Sequence, residues 1–241
     1  MLRMENEIIP RIEGHILVML GGIVSLIIVS LFLTASADSI NPGLYSVDSK
    51  PYGLTFPQWS EKWWQWMISI PQSQNPLNDD TGKNCGVGQN NSNVWFMTGT
   101  GSGTVVRSCT VPSSKAILIQ PAETECSYAE YPSLKAESEL RSCAIEGDKV
   151  SSIHVSIDGK NLQNPQNYIV QTPLFDVSIP KDNIFAAPAG PSKAVSHAYV
   201  IFLEPLKAGK HDIHFDQVTL GSPETGTGNF AYDVTYHLTV K

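Results

Sequence analysis

From Asn229 to Val240, apolar and polar side chains alternate: Phe230, Tyr232, Val234, Tyr236, Leu238 and Val240 against Ala231, Asp233, Thr235, His237 and Thr239. A period of two sends every second side chain to the same face, so this segment predicts a strand with one face in a core. The same rhythm sets Ile153, Val155 and Ile157 against Ser152, His154 and Ser156, and closes on an Asp158-Gly159 turn. Strand-forming runs at 94–98, 104–109, 115–120, 168–172, 174–179, 197–204 and 211–220 bring the expected number to eight or nine. The glycine-rich Gly99-Thr100-Gly101-Ser102-Gly103 between the first two reads as a hairpin turn.

Two stretches carry the helical period instead. In WSEKWWQWMISIP, Trp59, Trp63, Trp66, Met67 and Ile70 fall within about 100° of one another at 100° per residue, and Ser60, Glu61, Lys62, Gln65 and Ser69 spread over the remainder. Pro57 suits the first turn and Pro71 ends the segment. The stripe predicts a helix packed on a sheet through Trp59, Trp63 and Trp66, with Trp64 off the stripe and half exposed. A shorter helix is predicted near 134–146, with Ser133 as N-cap and Gly147 as its stop. Many strands with helices only as decoration predict a mainly β fold, an antiparallel two-sheet β-sandwich of jelly-roll or immunoglobulin-like topology.

The front of the chain differs from the rest. Residues 16–33 form an uncharged apolar run of 18 residues, preceded by a head with Arg3 and Arg11 and followed by Ala35-Ser36-Ala37. At about 1.5 Å per residue the run reaches about 27 Å, close to the roughly 30 Å of a bilayer core, while the small-residue triplet fits a cleavage site. Residues 1–37 are therefore expected to be a signal peptide or a membrane anchor, 38–56 an extended arm, and 57–241 one sandwich domain. Either reading of the front makes the body extracytoplasmic, secreted or held at the membrane through 16–33.

Cysteine usage agrees with export. All four cysteines, Cys85, Cys109, Cys126 and Cys143, follow the apolar run, and an even count in an exported domain predicts disulfides. Of three possible connectivities, Cys85 with Cys109 and Cys126 with Cys143 closes loops of moderate length. Beyond residue 37 the chain holds 14 basic and 20 acidic residues, with no run of Lys and Arg, so nucleic acid is excluded as a partner.

Candidate chemistry is sparse. The long polar stretch from Gln72 to Asn93 predicts a loop pinned by Cys85, and its adjacent acids Asp79 and Asp80 suit a sugar or calcium site. With Trp64 they form the candidate ligand-binding set. Glu123, Glu125 and Glu130 cluster around Cys126. Asp212, His214 and Asp216 share one strand face, and His237 lies on the polar face of the last strand, so His214, His237 and Asp212 are the metal candidates, weighed against an ordinary wet sheet face. No Gly-x-Ser-x-Gly and no phosphate-cradling glycine loop is present, and no cofactor is expected.

The order of WSEKWWQWMISIP, NPLNDDTGKNCGVGQ, VWFMTGT, VVRSCTVP, TECSY, ELRSCA, PLFDVSIP, KAGKHDIHFDQV and DVTYHLTV resembles a family of predicted exported proteins of bacteria and archaea. It covers nearly the whole body and implies export, paired cysteines and a shared fold, with no catalytic residue to transfer. The expectation is a disulfide-stabilised binding or cell-surface structural module whose partner is a glycan or another surface protein. The alternatives are a glycan-active or metal-assisted hydrolase and a metal-binding sandwich.

Overall fold

The computed structural model describes Asn41, residues 43–221 and residues 228–241. The apolar run 16–33 and the Ala-Ser-Ala triplet lie outside the described residues. No helix among the described residues is long and apolar enough to cross a membrane.

In chain order the elements are helix α1 (Phe56–Ser69), strands β1 (Val94–Met97), β2 (Gly103–Val111) and β3 (Ala116–Ser127), helix α2 (Glu137–Gly147), and strands β4 (Val150–Ile157), β5 (Lys160–Asn161), β6 (Ile169–Gln171), β7 (Phe175–Ile179), β8 (Gly190–Leu203), β9 (Gly209–Thr219) and β10 (Phe230–Val240). Ten strands make two five-stranded sheets, ordered β1-β3-β8-β6 with β7 also on β8, and β2-β10-β9-β4-β5. The sandwich expectation holds, with a refinement: β1 runs parallel to β3 and β2 parallel to β10, so both sheets are mixed.

Those parallel pairs correct the hairpin expectation at 99–103. β1 and β2 lie in different sheets, so the glycine-rich segment carries the chain from one layer to the other. The Asp158-Gly159 turn is a true hairpin between β4 and β5, with φ of 50° and 74° at its two central residues, the left-handed pair that a type I′ turn requires. In β10 the predicted alternation is realised: Tyr232, Val234, Tyr236, Leu238 and Val240 are buried.

Helix α1 begins one residue before Pro57 because Thr55 caps it; Gln58 N donates to Thr55 Oγ1 at 3.4 Å and Gln58 Oε1 accepts from Thr55 N at 3.0 Å. It packs across β6, β7 and β8. Each of its four indole nitrogens donates to a different segment: Trp59 to Pro51 O at 2.8 Å, Trp63 to Met97 O at 2.8 Å, Trp64 to Ser196 Oγ at 2.7 Å and Trp66 to Val87 O at 3.0 Å. The helix thus ties the arm, β1, β8 and the long loop to one core, and burying such large rings with their donors satisfied is what makes it stable. Trp64 is 4 % exposed, which corrects the expected half exposure: the helix is covered on more than one stripe.

The arm lies along the end of β8, where Leu44 bridges Leu203 and Tyr45 N donates to Phe202 O at 2.9 Å. Both expected disulfides are present, Cys85–Cys109 and Cys126–Cys143. The first pins the 72–93 loop to β2. Beside it Arg107, 1 % exposed, holds the same loop through its guanidinium, donating to Asp79 O at 2.6 Å, Gly99 O at 2.8 Å, Thr98 O at 3.0 Å and Tyr236 Oη at 2.7 Å.

In β3 the pairing to β8 shifts register between Ile119 and Ala122, at Gln120-Pro121, where proline has no N–H for the ladder. β1 pairs only with Ala116 to Ile119. From Ala122 onward β3 therefore has a partner on one side alone among the described residues, and its other edge is left to α1, α2 and the loops. That edge positions the site.

Candidate ligand-binding cavity

A cavity of about 860 Å³ opens along the unpaired edge of β3. Besides β3 and β9, its walls include Trp64 and Met67 of α1, Ile184 and Phe185 of the loop after β7, Cys143 and Gly147 of α2, and Phe230 and Tyr232 of β10. The volume lies within the range of roughly 300 to 1,000 Å³ typical of small-molecule sites, and the lining is predominantly apolar.

Local sequence explains each wall. Trp64 is held by its hydrogen bond to Ser196 and stands edge-on to Trp63, ring centroids 5.0 Å apart at 88°. α2 buries only Leu140 and Ala144, too little to hold a helix of its length, and the Cys126–Cys143 bridge fixes it to β3. Its first turn is closed by Glu139, whose Oε2 accepts from Ala136 N at 2.8 Å and Lys135 N at 2.6 Å, so the helix starts at Glu137 and not after Ser133. Gly147 ends it against Thr124, where an added Cβ would sit 2.5 Å from the Thr124 methyl.

The polar side chains on the walls include Glu139, Ser142 and Glu146 of α2, Gln217 and Thr219 of β9, and Glu123 and Thr124 of β3. Glu123 lines it, half-buried, and makes no hydrogen bond among the described residues. Burial, reinforced by the Asp148 carboxylate nearby, pushes Glu123 well above the usual carboxylate range. Glu125, two residues along, is 6 % exposed, and neither of its carboxyl oxygens has a partner. Its burial, with the Glu130 carboxyl beside it, raises it in the same way. Asp148 is raised by burial and held back by His197, whose Nδ1 lies 2.6 Å from Asp148 Oδ2. Glu123, Glu125 and Asp148 thus gather three acids on and beside β3, and of the three only Asp148 has an imidazole partner, His197.

Of the residues singled out from sequence, Trp64 lines this cavity and Asp79 and Asp80 do not. Asp79 organises its own loop: Oδ1 accepts from Thr81 N at 2.9 Å and Thr81 Oγ1 at 2.7 Å, and Oδ2 from Asn84 N at 2.7 Å. Burial pushes its pKa up, but those hydrogen bonds and the Arg107 charge outweigh it and hold the group below the usual range. Asp80 is exposed. Among the metal candidates, His237 pairs with Asp212, Nδ1 to Oδ1 at 2.7 Å, while His214 turns away from both toward Asp233 at 3.3 Å and toward His154.

The cavity itself escaped the sequence reading, because its walls are brought together from distant segments. Two of its lining residues carried a signal, Trp64 as a ligand-binding candidate and Glu123 as one of the acids clustered around Cys126. Chemically, the arrangement can enclose an apolar body and present to it one uncommitted carboxyl.

No protein-family model matches this chain, and no curated protein matches it. Among solved structures it is similar in part to PbICP-C, solved in complex with falcipain-2, with a TM-score of 0.23 and 14% identity over 61% of this chain and 98% of that one. It is also similar to the cysteine protease inhibitor EhICP2 from Entamoeba histolytica, with a TM-score of 0.19 and 11% identity over 61% of this chain and 94% of the inhibitor. Amebosin, in its solution structure, gives a TM-score of 0.15 and 11% identity over 58% of this chain and 98% of that one. Superpositions this weak carry no argument about function, which rests on the chain's own residues.

Proposed function

We propose that this protein is an extracytoplasmic binding module whose cavity takes a cationic amphiphile, an apolar body carrying an amine. The observation that carries the reading is Glu123, an unpartnered carboxyl on the wall of a predominantly apolar enclosure. A half-buried carboxyl without a partner is held away from part of its hydration, and an incoming ammonium would supply the missing charge and hydrogen bonds. Glu125 and Asp148 strengthen the preference for a cation. The apolar walls suit a hydrocarbon body better than a glycan, whose many hydroxyls would lose water without gaining partners. The two disulfides fit an oxidising compartment outside the cytoplasm.

The test is a titration of the full chain with an alkylamine, an alcohol and a carboxylate of equal chain length, below their micelle concentrations, followed by tryptophan fluorescence. The amine is expected to bind tightest and the carboxylate weakest. Glu123→Gln removes the advantage of the amine over the alcohol. Ser142→Phe, at an exposed position of α2 on the cavity wall, blocks all three. Absence of saturable binding, or a carboxylate that binds best, contradicts the proposal.

A further inference from the structure

On the outer face of the second sheet, away from the cavity's Glu123 and Trp64, three strands bring imidazoles and carboxylates together. In the β4–β9 ladder His154 faces Asp216 and Ser156 faces His214; in the β9–β10 ladder Asp216 faces Asp233 and His214 faces Thr235. Period-two geometry keeps His214 and Asp216 on the same face of β9, so His154 meets one directly and the other diagonally.

We propose that His154, His214 and Asp216 form a Zn²⁺ site. One ligating atom from each of the three lies within 4.8 Å of the others. His154 Nδ1 is 3.3 Å from Asp216 Oδ2, and the two imidazole centroids are 5.6 Å apart at 52°. Zinc bonds of about 2.0 to 2.2 Å in a tetrahedron set donor atoms roughly 3.3 Å apart, so the His154–Asp216 pair already has the spacing and His214 closes by a side-chain rotation.

Two further contacts match what a metal-bound histidine needs. His154 Nε2 lies 3.0 Å from Asn161 Oδ1, and a carboxamide oxygen accepts only from a protonated nitrogen, which leaves the Nδ1 lone pair free toward the site. Asn161 is delivered there by the tight β4–β5 hairpin, where it faces Ser156. On the other side Asp233 Oδ1 stands 3.3 Å from His214 Nε2, available to orient that ring or to serve as a fourth ligand. Two imidazoles and a carboxylate match zinc, whereas calcium and magnesium prefer oxygen donors throughout. The set leaves one coordination position open, and it braces β4 to β9 across the centre of their sheet.

The experiment is calorimetric titration of the full, tag-free chain, stripped by chelator, with ZnCl2 in the presence and absence of excess MgCl2 and CaCl2. One zinc ion per chain is expected, undisturbed by the competing salts. His154→Gln and His214→Gln each weaken binding at least about tenfold, and Asn161→Ala weakens it by about tenfold through loss of ring orientation. His237→Gln, which breaks only the Asp212 pair, leaves it unchanged. No binding in the unaltered chain, binding that survives both ligand variants, or an equal loss in His237→Gln overturns the site. Should a variant fold poorly, imidazole NMR signals of the unaltered chain decide. Movement of His154 and His214 at one equivalent, with His237 still, supports the proposal, and any other pattern overturns it.

Discussion

Truncating Arg107 tests what holds the long loop in place. The guanidinium is 1 % exposed and satisfies buried carbonyls of Asp79, Thr98 and Gly99 as well as the Tyr236 hydroxyl, over whose ring it lies 5.4 Å from the centroid. Hydrogen bonds from a charged donor contribute about 1.5 to 3 kcal/mol each, but they do not add, because water reaches some of the freed groups and Thr98 O keeps the Tyr236 hydroxyl as a donor at 2.8 Å. Removing one member of a buried charged network costs about 3 to 5 kcal/mol. Arg107→Ala is expected to lose that much in urea unfolding with the disulfides intact, or roughly 6 to 20 °C in Tm for a domain of this size. Arg107→Met restores packing volume without donors and should keep more than half of the loss. Limited proteolysis should nick both variants first within residues 72–93. A loss below about 1 kcal/mol in Arg107→Ala, or an Arg107→Met as stable as the parent, would refute the reasoning, since packing and the Cys85–Cys109 bridge would then suffice.

Replacing Cys126 and Cys143 together by Ala releases a loop of 17 residues and should cost about 3 kcal/mol in chemical unfolding, with α2 amides losing hydrogen-exchange protection before the sheets; unchanged α2 protection would contradict its dependence on the bridge. Glu123 has a raised pKa in the folded state, so the native chain binds more protons than the unfolded one above the ordinary value of about 4.3, and stability falls as pH rises through that window toward the folded-state pKa. Glu123→Gln should flatten this decline in urea midpoints measured from acid to neutral pH, leaving the part due to Glu125 and Asp148; a pH profile identical to the parent's would show that the folded chain does not raise Glu123.

Local patterns were readable where one face of an element meets one neighbour. The alternation of β10 appears in the fold from Tyr232 to Val240, with Phe230 exposed at its start, and the helical stripe places Trp59, Trp63 and Trp66 in the core. In β2 the same alternation puts Arg107 in line with Val105, Cys109 and Val111, so its inward position was legible, although its charge argues for the surface. What stayed hidden depends on partners far along the chain. A glycine-rich connection looks alike whether it folds strands back or carries the chain between sheets, which is why 99–103 misled. Trp64 lies off the stripe, but β8 supplies Ser196 to its indole and the cavity takes its remaining surface. The face shared by Asp212, His214 and Asp216 was legible; that β4 also pairs with β9 and brings His154 opposite Asp216 was not. Around Glu123 the strand period is broken by the Gln120-Pro121 irregularity, which removed the only local sign that its carboxyl turns into an enclosure.

The claim that the β3 edge houses a ligand site is tested most directly by a crystal structure of the chain with the alkylamine that binds it best. The account predicts continuous ligand density inside the cavity beside Trp64, with the amine within hydrogen-bonding distance of Glu123. An empty cavity with the amine bound elsewhere, or a chain that enters with its head group turned away from Glu123, would contradict it.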